Sequence, residues 1–238
     1  MGIIGKLAEK FSPLFNKIKG GYFGILITIF GLITIITCII LYSLSEPISI
    51  FSHWISDLGG YITNSGASPN GANIIFSIGL IIISILAIPF LLYLTDFLLS
   101  KNQKLKFLVF FAFIFSIMTL LGIFGVAFID IKSEPIIHTA FAALFFLGGM
   151  TIMFFFSLAM LFNSDVSNKQ AIFGLICSAV PLAFLASFTP YMLDGQNVLT
   201  LVLSVDPALG VSRFLEWMYL IALFIWFFEI GFYLIKND

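Results

Sequence analysis

The 238 residues are 61% hydrophobic and only 10% charged, with 30 Phe and a mean hydropathy of +1.14, whereas soluble domains carry charge at about a quarter of positions. No water-soluble fold of this size hides that much apolar surface, so the chain reads as an all-α, polytopic membrane protein. A net charge of −1 excludes a basic nucleic-acid surface, and Cys38 and Cys177, each inside an apolar run, supply neither a disulfide framework nor a thiolate metal site.

In chain order, segment 1–21 is basic and amphipathic, with Lys6, Lys10, Lys17 and Lys19. It lacks the small-residue cleavage pattern of a signal peptide and is expected to stay on the mature protein. Six apolar runs follow at 22–44, 73–98, 107–129, 136–162, 171–190 and 214–235, each near the ~20 residues that cross a hydrocarbon core about 30 Å thick. They are apolar on all sides, and backbone amides in lipid must pair internally, so the prediction is a six-transmembrane-helix bundle forming one domain over 22–235. Pro89 and Pro181 predict kinks in the second and fifth helices. Ala179, Ala183 and Ser187 form a small-residue stripe suited to close helix packing. Of the loops, only 45–72 and 191–212 are roomy. In the first, Glu46-Pro47 predicts a helix start. The run to Leu58 then sets Phe51, Ile55 and Leu58 on one face and Ser49, His53 and Asp57 on another, which predicts a short interfacial helix ended by Gly59-Gly60.

Basic residues orient the bundle. Nine of the eleven Lys and Arg fall on the side of the termini, with only Lys132 and Arg213 opposite, so the positive-inside rule predicts cytoplasmic N- and C-termini. Asp96 and Glu229 lie near the cytoplasmic helix ends, and no acid sits at mid-depth, which argues against an ion-coupled transporter.

The chemistry-bearing residues gather at the other side: His53, Asp57, Asn70, Asn73, Asp130, Glu134, His138, Arg213 and Glu216. On a helix, the i, i+4 spacing of His53 and Asp57 lets the carboxylate orient the imidazole, as a general base requires. His138 sits one turn inside the membrane boundary after Pro135, where a histidine needs a partner; Asp130, Glu216 and Asp57 are the candidates. Arg213 and Glu216, i and i+3, form either a local pair or a phosphate contact beside an acid that meets His138 or a cation. The two His and nearby acids could ligate a metal, but no HExxH, HxxxH or CxxC spacing supports one, and no cofactor is identified. Ser52 and Ser56 are available nucleophiles without a GxSxG elbow.

The same residues carry a family likeness. His53-Trp54-Ile55-Ser56-Asp57-Leu58-Gly59, then Pro69 and Ile75-Phe76, resembles the first-loop pattern of the six-span damage-regulated autophagy modulator and Frag-type membrane proteins. Pro135-Ile136-Ile137-His138 resembles that family's Pro-x-x-His at the fourth span, and Glu216-Trp217 its Glu-Trp in the sixth; Thr139 stands where an acid often follows the family's His. The chain is also similar to the prokaryotic domain-of-unknown-function family 998 through the Ile-Ser-Asp-Leu-Gly run and the loop His. The resemblance spans roughly 22–235. It implies a membrane-lipid role, since relatives include autophagy-linked lysosomal proteins and Golgi proteins that remodel the lipid of glycosylphosphatidylinositol anchors. With prokaryotic relatives and no sorting motif, the plasma membrane is the expected location.

Two readings follow. In the first, His53, Asp57, His138 and Glu216, as candidate catalytic residues, and Asn70, Asn73, Asp130 and Arg213, as candidate substrate contacts, converge near the outer head-group region on a polar membrane lipid. They bind it or, as a hydrolase or transferase, modify it, with His138 or His53 as general base. In the second, the same residues are struts of a noncatalytic scaffold or lipid organiser. Oligomeric state is left open.

Overall fold

The computed structural model describes residues 10–164, 166–197, 200–201 and 206–237. Lys6 and the start of the predicted basic segment lie outside the described residues, as does part of the 191–212 loop. Among the described residues, six helices are long and apolar enough to cross a membrane. They are α1 (Gly21–Ser43), α2 (Ala72–Lys101), α3 (Lys106–Phe128), α4 (Pro135–Leu161), α5 (Asn168–Ala186) and α6 (Gly210–Asn237). A single further turn, Thr189–Leu193, continues the α5 span.

Local chemistry sets several boundaries. Pro135 occupies the first turn of α4, where its missing N–H is not needed. Ser167 caps α5 by accepting the Lys169 amide. Asn70 (φ 52°) and Gly71 (φ 84°) turn the chain through the left-handed region into α2, a conformation that Asn and Gly tolerate best. At the termini, the Lys19 ammonium donates to the Ile235 carbonyl oxygen at 3.1 Å, placing a cation on the exposed carbonyl end of α6. Helices α2 and α5 run continuously through Pro89 and Pro181.

Each helix packs against its neighbours in sequence, and α6 returns against α1, closing a ring of up-and-down helices. Glycines permit the tightest approaches: a Cβ on Gly24 would stand 2.6 Å from the Phe227 carbonyl oxygen, and one on Gly231 2.6 Å from that of Gly21. Between α3 and α4, a Cβ on Gly148 would stand 2.9 Å from the Thr119 amide nitrogen. The predicted stripe on α5 is not its packing face, because Ala179 and Ala183 are exposed. Gly174 instead admits Ser157 of α4 and Trp226 of α6, so the buried face runs through Gly174, Cys177, Ser178, Pro181 and Phe184. Lipid is as apolar as a side chain, so close fit rather than hydrophobicity decides which face turns inward. Trp226 is fully buried, with Phe90 edge-on at 6.2 Å and Phe156 stacked at 6.4 Å.

Residues 44–71 fold over the ring at the end away from the termini. The predicted helix from Glu46 to Leu58 is not formed. A 3-10 turn, Ile55–Gly59, takes its place, with Ile55, Asp57 and Leu58 buried rather than lying on a membrane surface. Two carboxylates explain where it starts: Asp57 accepts the Trp54 amide at 2.8 Å and Glu216 of α6 accepts the Ile55 amide at 2.8 Å, pairing N–H groups that any helix start leaves orphaned. Glu46 is committed elsewhere, so Glu46-Pro47 begins no helix.

Candidate functional site

The cap over the ring is held by polar side chains bonded to backbone. Glu46 accepts from His53 Nε2 at 2.9 Å and from the Ser65 amide at 2.7 Å. The Ser49 amide points at His53 Nδ1 (3.3 Å), and Ser52 Oγ lies 2.8 Å from the same nitrogen. Nδ1 is therefore the acceptor and the ring proton sits on Nε2, facing Glu46. Burial opposes the Glu46 charge, but the hydrogen bonds from His53 and the Ser65 amide outweigh it and hold the carboxyl at about 2. Asp57 shows the opposite balance: its burial raises the pKa above the usual carboxylate value, and the Trp54 amide only offsets part of this. The pairing expected between His53 and Asp57 is not made, because His53 precedes the 3-10 turn and its ring reaches back to Glu46 instead.

Trp217 follows Glu216 near the start of α6, where a tryptophan ordinarily anchors a helix end at the interface. It is buried, and its indole N–H donates to the His53 carbonyl oxygen at 2.9 Å. Arg213 is also buried, its guanidinium 5.2 Å from the Trp54 ring centroid and Nη1 donating to the Asp206 carbonyl oxygen at 2.9 Å. Asp130 closes the α3–α4 turn by accepting the Ser133 amide and hydroxyl, each at 2.9 Å, and the Tyr61 amide at 3.3 Å. Lys132 reaches the carbonyl oxygens of Ile62 (2.9 Å) and Thr63 (2.6 Å). Asn70 joins the cap to α1 through the Leu41 carbonyl and Ser45 Oγ. Asn73 lies half-buried in the first turn of α2, and Glu134 is exposed on the α3–α4 turn.

Beneath the cap, the ring surrounds an apolar cavity lined by every spanning helix except α5. Along α2 it runs from Phe76 to Leu91, roughly 22 Å at 1.5 Å per residue. A second lobe lies toward α5, walled by Trp54, Phe146, Phe184 and Phe188. Ser56, His138 and Glu216 line both lobes. Of the residues singled out from sequence as site candidates, the structure brings only His138 and Glu216 to this cavity. Ser56, marked in the sequence as an available nucleophile within the first-loop motif, joins them.

His138 is 3% exposed. Its Nδ1 bonds to the Ile129 carbonyl oxygen; a carbonyl can only accept, so Nδ1 carries the proton and Nε2 presents a lone pair. That Nε2 is buried and has no hydrogen-bond partner, and neither has the adjacent Thr139 Oγ1. Buried polar groups are nearly always paired, and the residue that carries this bare acceptor lines both lobes of the cavity. Among the described residues, no group of three or more His, Cys, Asp or Glu is placed to hold a metal ion.

Residues 19–233 match the model of a protein family described as the Frag1/DRAM/Sfk1/Cwh43P N-terminal domain. No curated protein and no solved structure matches the chain.

Proposed function

The chain belongs to this family, and from that premise we propose that it binds a membrane lipid, with an acyl chain in the central cavity and the polar end at Ser56, His138 and Glu216. The observation that carries the reading is His138, which lines a long apolar cavity and whose Nε2 has no partner. The depth fits: one leaflet's acyl region is about half of a ~30 Å hydrocarbon core, and the cavity reaches beyond that from the capped end. We place the capped end on the outer face, because the basic residues gather at the other end, and the protein in the plasma membrane, consistent with the loop likeness to the prokaryotic family 998.

The scaffold reading keeps a share of the polar residues. His53, Asp57, Asp130 and Arg213 spend their hydrogen bonds on the cap's own backbone or on Glu46 and act as struts, while His138 and Ser56 face the cavity. Glu216 does both, holding the Ile55 amide and lining the wall.

The test is photolabelling of the purified chain with diacylglycerol and phosphatidylcholine that carry a diazirine in the acyl chain, with adducts mapped by mass spectrometry. Adducts on Leu91, Ile123 and Phe227, which face the cavity, that disappear when Ala142→Trp plugs the junction of the lobes would support the reading. Labelling confined to the outward residues Ile33, Ile85 and Phe228 would refute it.

A further inference from the structure

The geometry points to an uncharged lipid with a hydroxyl at its polar end, such as a diacylglycerol, a ceramide or a sterol, as the occupant, selected over phospholipids. This rests on the lipid-binding reading above and names the class of lipid.

His138 Nε2 requires a donor from the ligand. Its lone pair is fixed in place because Nδ1–H is tied to Ile129, and an imidazolium in this apolar wall would leave a buried charge unpaired. A phosphate diester has no hydrogen to give, and a monoester such as phosphatidic acid can give one only while carrying a negative charge; an alcohol gives one uncharged. The Ser56 hydroxyl makes no hydrogen bond to another described residue, and Ser56 lines both lobes, so it can donate to the oxygen of an alcohol that itself donates to His138. Thr139 Oγ1, unpartnered on the wall of the smaller lobe, offers a second such hydroxyl.

The charges exclude an anion. Among the described lining residues of either lobe there is no Lys or Arg, and the one ionisable acid is Glu216. The nearest basic side chains are turned to backbone: Arg213 to the Asp206 carbonyl across the Trp54 face, and Lys132 to Ile62 and Thr63. The Ile55 amide, which could have met a phosphate oxygen, is occupied by Glu216. A phosphate here would lose its hydration, face a carboxyl group and gain no counter-charge. A hydroxyl carries no such penalty and satisfies the orphaned imidazole.

The experiment labels the full chain with diazirine-acyl diacylglycerol and, separately, with phosphatidic acid bearing the same chains, and quantifies adducts on Leu91, Ile123 and Phe227. Diacylglycerol is expected to label the cavity at least about tenfold more than phosphatidic acid, equivalent to about 1.4 kcal/mol. That ratio should fall several-fold in His138→Phe and in Ser56→Ala, the second of which removes no bond within the protein. Unlabelled ceramide and cholesterol, as competitors, tell which hydroxyl lipid binds tightest. Equal labelling, a preference for phosphatidic acid, or a ratio undiminished in both variants would overturn the inference while leaving the lipid-binding reading standing. If neither probe reaches the cavity, the lipid-binding reading itself falls.

Discussion

Glu216 ties the last helix to the cap, and its replacement gives a measurable prediction. In Glu216→Ala the Ile55 amide, buried with its residue beneath the cap, loses its acceptor, and an unsatisfied buried donor costs about 1–3 kcal/mol. For a chain of this size each kcal/mol moves the midpoint of thermal unfolding by about 2–4 °C, so the variant should melt roughly 2–12 °C below the wild type in detergent. Glu216→Gln keeps a carbonyl oxygen where the carboxylate oxygen stood and should recover most of that loss. Amide hydrogen exchange at Ile55 supplies the local readout, with fast exchange in Glu216→Ala and slow exchange in Glu216→Gln. An alanine variant that melts with the wild type and protects Ile55, or a glutamine variant indistinguishable from alanine, would refute the claim that this bond fixes the start of the 3-10 turn.

Three further outcomes are expected. Gly24→Ala places a methyl 2.6 Å from the Phe227 carbonyl oxygen, so α1 and α6 must separate at a cost of about 1–3 kcal/mol, seen as a lower midpoint of thermal unfolding. Glu46, held at about 2 against the 4.5 of an ordinary glutamate, binds fewer protons folded than unfolded between those values. Its contribution is complete above about 4.5 and is lost as pH falls through 2, so the stability advantage of the wild type over Glu46→Gln should shrink across that window in acid unfolding curves. For orientation, both native cysteines are buried, so Ser65→Cys should react with a membrane-impermeant maleimide on intact cells and Asn102→Cys should not; the reverse pattern would invert the bundle.

The parts of the site that were legible in the sequence were those that depth alone marks out. His138 and Glu216 stood out as polar groups one turn inside apolar helices, where lipid makes any unpaired group costly, and both line the cavity. Residues in the cap were misread because their partners lie far along the chain. Nothing local distinguishes His53 bonded to Glu46 from His53 bonded to Asp57, and the partner of the Trp217 indole, the His53 carbonyl, lies 164 residues away. Ser56 shared its candidacy with Ser52 until the 3-10 turn set it on the cavity wall that His138 also lines.

The sequence by itself determined that this chain lives in lipid, crosses it six times and carries its basic residues at one end, because hydrocarbon thickness and backbone pairing leave an apolar run of 20 residues no other outcome. Only the tertiary structure decided which faces turn inward and which polar groups keep a free valence. In lipid an apolar side chain gains little by turning inward. Burial is therefore settled by backbone fit at Gly24, Gly148, Gly174 and Gly231, and the cavity and its bare imidazole are what that fit leaves unfilled.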